Sequence, residues 1–518
     1  MATSGSGDPI TVGERNEDTS PENRSVDDSD KSYRMASYWK GEISATEEEN
    51  ARWFKRGETI IKRFRDERDR STEEGQRRIN ALWAWYSIIR PAIYARCPQA
   101  VAERRFLDRD PVGRTSAMIL ERSLRYQLEN NGFHQNMSRA VQDYLLPGRG
   151  QLWVRYEPTF GELGPSMPAK QTQDMRDEAG DLIGDEDEDF GEELETESAP
   201  VDYIHWKDFR TIPKRARTWS EVQAVAKRIY ASKSECIKFF GEKIGKEIKA
   251  DSTLSVAERM AGSSDTAIFQ DINERRRVIW EIWNKLDRKV YWVSTGYEYL
   301  CKEEDDPLEL ECFFPCPEPL SAVMTNDTMI PVPFYIEWQD QAIQLDELTQ
   351  RISMLSKSCK VAGTYDASNR ALRRLMDESV ENELIPVENW AMAKEKGGVE
   401  GGISFLPIKE VIETMQTLIE VREKVLEDMD RVTGVSDVLR GTSDARETLG
   451  AQRLKVNSAG TRIDDQRNDV GRFAGDVVRL VSEVMCHHFS DETLIESSGI
   501  LQEEGITEML QQIQGVAA

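Results

Sequence analysis

Two amphipathic stretches separated by a short glycine-containing break dominate the C-terminal part of the chain. In residues 409–432, apolar side chains recur every three or four positions, which predicts a one-faced helix. The break contains Gly434 and Gly441, and Asp444 with Glu447 has the spacing of a capping box at the start of a second, longer helix. Two helices held across a constrained loop are as typical of a mechanical element as of a catalytic one.

The charge and length of the chain exclude several classes of protein. With 518 residues it can form several domains, and a net charge of −26 argues against a general electrostatic nucleic-acid binder. The same charge is compatible with a protein that lets DNA pass without holding it. We expect no membrane span, because no run of 18 apolar residues occurs, and no signal peptide at the N-terminus. Seven scattered cysteines predict assembly in a reducing environment.

The N-terminal part of the chain reads as a polar tail followed by packed helices. We predict that residues 1–50 are mostly disordered, because large apolar groups are scarce there. Helical periodicity then continues to the sequence PGRG at 147–150, a stop signal that is followed by a strand. The apolar face expected in the first of these helices comprises Ile79, Trp83, Tyr86 and Ile93.

An acidic insertion interrupts the following region. Residues 160–199 contain GDEDEDFGEELETES, which lacks the ligand order of an EF-hand calcium loop and therefore reads as a solvated loop. Beyond it we predict an amphipathic helix over WSEVQAVAKRIYASKSECIKFFG. A β-hairpin is expected around Leu286-Asp287-Arg288, because aromatic and β-branched runs flank this turn.

A second helix precedes the opening stretch and pairs with it in our prediction. Residues 340–361 have an apolar face, and residues 362–408 form a small α/β unit with a glycine-rich turn and the strand ISFLPI. The helices at 340–361 and 409–432 are thus expected to be antiparallel, with a compact module at their tip. The predicted fold class is mainly α with smaller α/β parts.

Motifs for catalysis are scarce in this sequence. It contains no phosphate-binding glycine loop, no nucleophile elbow and no metalloprotease helix. Cys312 and Cys316 lack a second ligand pair and are expected to be buried apolar residues, and the tryptophans are expected in the core. We therefore predict no enzyme, no cofactor and no metal site. The basic residues of most interest lie in the module at the helix tip: Arg370, Arg373 and Arg374.

The order of these elements resembles the portal proteins, or head-to-tail connectors, of tailed bacteriophages. The resemblance is carried by DELTQRISMLSKSCKV, by GGISFLPIKE, by VIETMQTLIEVREKVLEDMD and by TGVSDVLRGTSDARETLGAQRLK. It covers about 340–490 and is closest to connectors of podovirus-like phages. It implies a ring of subunits, typically twelve, at one capsid vertex of the virion, with a central channel for double-stranded DNA.

The resemblance assigns parts of a portal subunit to the chain. It implies a wing at 51–339, stem helices at 340–361 and 409–432, and a clip at 362–408. A tunnel loop would occupy 433–445, the long wing helix 446–490 and a C-terminal crown 491–518. The implied partners are the terminase large subunit, which is the packaging ATPase, the head-tail adaptor and tail proteins, and the major capsid and scaffolding proteins. Assembly is expected in the host cytoplasm.

Candidate site residues follow from this assignment. Arg370, Arg373 and Arg374 are the implied docking residues of the clip. An acidic face of the second stem helix is expected to line the channel, where it would pass DNA with little binding: Glu413, Glu420, Glu423 and Glu427. The implied tunnel loop comprises Gly434, Val435, Ser436, Asp437, Val438, Leu439, Arg440 and Gly441, and the candidates for phosphate contact are Arg440, Arg446 and Arg453.

Two other classes of function remain open at the level of sequence. One is a DNA-processing enzyme that uses acidic residues with Mg²⁺, and the other is a generic helical scaffold or adaptor. The size of the assembly separates them from a portal ring.

Overall fold

The fold combines long helices with several antiparallel β-sheets, which confirms the expected mixture of helices and smaller sheets. It is taken from a computed structural model. The structure describes residues 21–67, 78–103, 111–160, 194–250, 277–358, 363–365, 403–405, 408–434 and 449–500.

Nine helices lie in the described residues. They are α1 (Pro21–Phe64), α2 (Ala81–Ile93), α3 (Pro111–Asn130), α4 (Phe133–Leu145), α5 (Lys233–Glu247), α6 (Gln339–Ser358), α7 (Ile408–Thr433), α8 (Leu449–His488) and α9 (Asp491–Ser498). None of the helices in these parts of the chain is both long enough and apolar enough to cross a membrane.

The strands form one large sheet and four small ones. They are β1 (Arg149–Val154), β2 (Glu157–Phe160), β3 (Leu194–Ser198), β4 (Val201–Ile204), β5 (Phe209–Ile212), β6 (Ala224–Ala231), β7 (Arg277–Asn284), β8 (Lys289–Ser294), β9 (Leu300–Asp305), β10 (Leu320–Ser321), β11 (Val323–Thr325), β12 (Thr328–Val332), β13 (Gly363–Tyr365) and β14 (Ile403–Phe405). The large sheet has the order β5-β6-β7-β8-β9, a second has the order β10-β1-β4, and β2-β3, β11-β12 and β13-β14 are pairs.

The five-stranded sheet is antiparallel throughout and is built around the hairpin predicted from the sequence. β7 and β8 pair from Asn284 with Lys289 to Ile279 with Ser294, so the turn at 285–288 is confirmed. Trp280, Trp283 and Trp292 are buried, as expected for core residues. Their alternation along the strands lets each face of the sheet pack against a different partner.

The first half of α1 covers one face of this sheet. Ala36, Trp39 and Ile43 are buried there against strand residues that include Trp280 and Ile282. The prediction of disorder for residues 1–50 is therefore wrong over 21–50, while residues 1–20 lie outside the described part of the chain. The apolar side chains recur at spacings of three and four residues within a charged sequence, so the buried stripe is too narrow to show in the composition.

The main core joins α2, α4 and α8 to β1. Every residue of β1 is buried, and α4 packs Phe133, Met137 and Val141 into the same cluster. The C-terminal half of α8 adds a stripe at three- and four-residue spacing: Val470, Phe473, Val477, Val481 and Val484. This layer fixes the long helix to the body of the protein.

Several local predictions are wrong in instructive ways. Residues 224–231 form strand β6, and the helix predicted there begins only at Lys233, where Ser232 and Glu235 make a capping box. Gly132, with a φ of 65°, divides the helical region after Pro111 into α3 and α4.

Side-chain exposure also differs from the sequence-based expectation at three positions. Trp83 is 56% exposed and Ile79 is 38% exposed, since the buried face of α2 is instead formed by Leu82, Trp85 and Ile89. Cys312 is exposed although Cys316 is buried.

The base of the acidic insertion is ordered as a β-hairpin. β3, within the predicted loop 160–199, pairs with β2 from Glu157 with Ser198 to Phe160 with Leu194. The prediction of a loop is therefore wrong at 194–198, and residues 161–193 lie outside the described part of the chain.

Candidate functional site

α6 and α7 form an antiparallel helical hairpin that is the candidate functional element, hereafter the stem. The two helices pack against each other, and the strands β13 and β14 beyond them pair in antiparallel register, with Gly363 opposite Phe405. Their bounds, Gln339–Ser358 and Ile408–Thr433, lie within a few residues of the helices predicted at 340–361 and 409–432. At 1.5 Å per residue α7 is about 39 Å long.

The seam between the stem helices is formed by one apolar stripe from each. α6 contributes the buried residues Ala342, Leu345 and Leu348, and α7 contributes Val425 and Met429. These positions recur at spacings of three and four, so they occupy the facing sides of the two helices. The pattern read from the sequence is thus the one that joins the pair.

The base of the stem is fixed to the body by polar and apolar contacts. Arg63 of α1 forms a salt bridge of 2.5 Å with Asp346, and the other carboxylate oxygen of Asp346 accepts a hydrogen bond of 3.1 Å from the backbone N–H of Ile79. A cavity of about 300 Å³ lies between α2 and the stem, lined by Trp85, Trp338, Leu345, Leu426 and Met429 among others. Apolar side chains of the stem base therefore face α2 across this cavity, and one well-shielded ion pair joins the base to α1.

Burial decreases from the base of the stem to its tip. On α6, Leu345 is fully buried whereas Ile352 and Leu355, nearer the tip, are half-buried. On α7, Met429 near the base is buried, and Met415 and Leu418 near the tip are half-buried. The apolar stripes are therefore only partly covered in the distal half, within a single copy of the chain.

The outward face of α7 is acidic. At 3.6 residues per turn, Glu413, Glu420 and Glu427 fall within an arc of about 40°, opposite the side that faces α6, and Glu423 lies beside them. All four are exposed. Glu413 is 4.0 Å from Lys409, and Glu427 is 3.8 Å from Arg431, so part of this charge is balanced along the same helix.

Gly434 ends α7 in the left-handed conformation, with a φ of 72°. Its backbone N–H donates a hydrogen bond of 2.9 Å to the carbonyl of Asp430, which is the geometry of a glycine that terminates a helix. The chain returns to the described part of the structure at Leu449, where the 40-residue helix α8 begins. In the chain, α7 precedes this segment and α8 follows it.

The body beside the stem contains two buried arginines that attach α1 to the strands. Arg149 lies over the ring of Trp53 at 4.4 Å and donates hydrogen bonds to the carbonyls of Trp206 and Phe209 at 2.9 and 3.0 Å. Arg210 forms a 3.0 Å salt bridge with Glu47 of α1. Burial lowers the pKa of Arg149 to about 9, which still leaves it charged at neutral pH.

Asp143 is a buried carboxyl group in the same cluster. It accepts hydrogen bonds from the hydroxyl of Tyr203 and the backbone N–H of Trp206. Burial raises the pKa of Asp143 to about 7, against the opposing effects of these two donors and of Arg149. The group lies in the structural core, away from the stem, and we assign it no role in binding.

The predicted site residues divide into two groups. Those on α7 and Gly434 are in the described structure, and Arg453 lies in helix α8 although its side chain does not belong to the described part. The others lie outside the described residues: Val435, Ser436, Asp437, Val438, Leu439, Arg440, Gly441, Arg446, Arg370, Arg373 and Arg374.

The sequence-based reading missed the outward face of α6. Arg351 and Lys357 are exposed there, near the tip, and Asp340 and Glu347 are exposed nearer the base. Their order along the helix is visible in the sequence once the hairpin is assumed. Among the described residues, no group of three or more His, Cys, Asp or Glu side chains is placed to hold a metal ion.

No family model matches the chain, and no curated protein matches it. The fold and the stem define the chain only as a mixed α and β protein with a helical hairpin.

Proposed function

We propose that this chain is the subunit of a portal ring, a channel at one vertex of a bacteriophage capsid through which double-stranded DNA is packaged and ejected. The observation that carries the proposal is the stem, a projecting hairpin of two helices whose base is anchored and whose distal apolar stripes are half covered. Such stripes gain burial only from a neighbour, and a closed ring supplies one neighbour on each side of every copy.

The arrangement around the stem supports the same proposal. α7 ends at Gly434, and the 40-residue helix α8 follows the proposed tunnel loop at 433–445 and is packed into the body. A loop attached in this way to rigid helices at both ends can change its position while the body stays in place. Within this proposal, Arg440, Arg446 and Arg453 are the candidates for contact with DNA phosphates.

The charge of the chain supports a channel that does not hold its cargo. Twelve copies at −26 each would carry about −310 in total. A wall of that sign forms few of the cation–phosphate contacts that make DNA binding strong. The same repulsion acts between subunits, so the ring requires large intersubunit contacts.

The proposed partners follow from the parts of the subunit. The clip at 362–408, with Arg370, Arg373 and Arg374, would dock the packaging ATPase and later the tail adaptor. The wing at 51–339 would contact capsid and scaffolding proteins. The site of action would be the capsid vertex at the head-tail junction.

The experiment that tests the proposal is the size and shape of the purified full chain. Twelve copies of the 59.2 kDa chain would have a mass of about 710 kDa by light scattering, and negative-stain images would show rings with a central hole. A monomer or dimer at all concentrations contradicts the proposal. If that small species also cleaves plasmid DNA with Mg²⁺ and stops in EDTA, the chain is a DNA-processing enzyme; if it does not cleave, a scaffold or adaptor role is favoured.

A further inference from the structure

We infer that the outward face of α6 in one copy binds the outward acidic face of α7 in the next copy, through charges matched level by level along the stem. This contact rests on the proposed ring. It assigns Glu413 and Glu420 to an interface between subunits, in place of the channel wall expected from the resemblance.

The two faces point away from each other within one copy. On α6, Asp340, Glu347, Arg351 and Lys357 lie within an arc of about 120° on the side opposite Leu345. On α7, the matching charged residues lie within an arc of about 40°, on the side opposite the seam: Glu413, Glu420, Lys424 and Arg431. Because the seam separates the faces, they can meet only between different copies.

The level of each charge along the stem follows from the seam. Leu345 of α6 and Leu426 of α7 line the same cavity, so they lie at about the same height. In an antiparallel pair, residues equally far from these two along the chain also share a level.

Counting from these two reference residues places four pairs of opposite charges, one residue on each helix, at matching heights along the stem. Arg351 is six residues past Leu345, and Glu420 is six residues before Leu426. Lys357 is twelve residues past Leu345, and Glu413 is thirteen before Leu426. Toward the base, Glu347 is level with Lys424 and Asp340 with Arg431, at two and five residues from the same reference points.

Cyclic symmetry can bring these matched charges together between neighbouring copies. Neighbours in a closed ring are related by rotation about one axis, so a stem that runs along that axis brings each side chain to groups at about its own height on the next copy. α6 is acidic toward the base and basic toward the tip, whereas the outward face of α7 is acidic toward the tip and carries Lys424 and Arg431 together with Glu427 toward the base. A shift of the neighbour along the stem would place Arg351 and Lys357 away from Glu420 and Glu413, so the charges also fix the axial register.

Several of these charges form no ion pair with another described residue of the same copy. No salt bridge joins Arg351, Lys357, Glu420 or Lys424 to any residue that the structure describes. Apolar side chains accompany them, since Ile343 on α6 is 51% exposed and Val421 on α7 is 37% exposed. The two faces therefore offer both charge complementarity and apolar area to a second copy of the chain.

The test uses charge reversal on each face, with both variants made in the full chain. R351E/K357E makes both faces acidic near the tip, and E413K/E420K makes both faces basic there. Each variant alone should therefore need a protein concentration at least about tenfold higher than the wild type to assemble. An equimolar mixture of the two should form rings again, as should the four-fold variant that carries both changes. The control, K246E/R472E, introduces the same charge change on exposed positions of α5 and α8 and should assemble within about threefold of the wild type.

The outcomes separate this contact from the ring itself. Ring fraction is measured by light scattering and negative stain, and near-UV circular dichroism verifies that each variant is folded. Normal assembly of either variant alone overturns the contact and leaves the ring in place, as does a mixture no better than its components. If the variants assemble normally but the rings retain DNA differently, the acidic face belongs to the channel. A wild type that never forms rings overturns both proposals.

Discussion

The body and the stem of this protein bury their apolar side chains to different extents. In the body, Trp153 is 1% exposed and stacks edge-on against Trp283, and every residue of β1 is buried. In α7, only Val425 and Met429 are buried among the side chains from Lys409 to Thr433. The body completes its core within one chain, whereas the stem leaves part of its apolar surface uncovered within one copy. If the proposed ring forms, the body should determine the stability of the single chain, and the stem should contribute to the stability of the ring.

The largest effect expected from this comparison is in the body. Replacing Trp153 by Ala removes a fully buried indole that also lies 4.6 Å from the ammonium of Lys227, and should lower the free energy of unfolding by about 3–5 kcal/mol. The measurement is urea unfolding of the dissociated chain, followed by tryptophan fluorescence and circular dichroism. W83A is the matched control, because Trp83 is 56% exposed on α2 and its loss should cost less than about 1 kcal/mol. Equal losses in the two variants would contradict the described core.

A second prediction concerns the buried polar cluster of the body. The pKa of Asp143 is raised by burial to about 7, above its value in the unfolded chain, so the native state holds this proton more tightly. The resulting stability is present below about pH 4 and is lost as the pH rises toward 7. Relative to D143N, the wild type should lose about 1–3 kcal/mol of unfolding free energy between pH 5 and pH 8.

This prediction is measured by urea unfolding of both proteins at each pH. D428N serves as the control, since Asp428 is an exposed partner of Arg431 on α7 and its replacement should leave the pH profile of the wild type unchanged. A constant difference between the wild type and D143N across the range would mean that Asp143 stays ionised, held by Tyr203, Trp206 and Arg149.

The same contrast explains which parts of the fold the sequence could predict. The hairpin of β7 and β8 follows from its aromatic and β-branched runs on either side of a short turn. The sequence predicts an amphipathic helix over the residues of β6, yet the pairing of β6 with β7, such as Val225 with Trp283, decides its conformation. Local propensity is decisive only where tertiary pairing does not oppose it.

The candidate site shows the same limit. The stem helices are visible in the sequence because each has one regular apolar stripe, and the charge order of α6 could have been matched to α7 from their antiparallel order alone. The burial of Arg149 could not be predicted, because it depends on Trp53 and Phe209, which come from separate elements. Nor could the buried stripe of α1, since Trp39 and Ile43 bind strands more than 150 residues later in the chain.

The smallest expected effect on the isolated chain is in the stem. Val421 is 37% exposed beside the outward charged face of α7, and V421A should cost the isolated chain no more than about 1 kcal/mol, because its methyl groups are already partly in water. M429A, at the buried base of the same helix, should cost about 2–3 kcal/mol and is the matched comparison.

The assembled protein should reverse this order, if the stem gains burial from a neighbour. In the proposed ring, V421A removes apolar surface from every contact between copies, so rings should dissociate on dilution at several-fold higher concentration than for the wild type. M429A, whose partners Trp85 and Leu345 belong to its own copy, should leave ring dissociation nearly unchanged once folding is complete. If instead V421A weakened the isolated chain as much as M429A and left dissociation unaltered, the stem would be as self-contained as the body. The comparison between the two regions would then no longer hold.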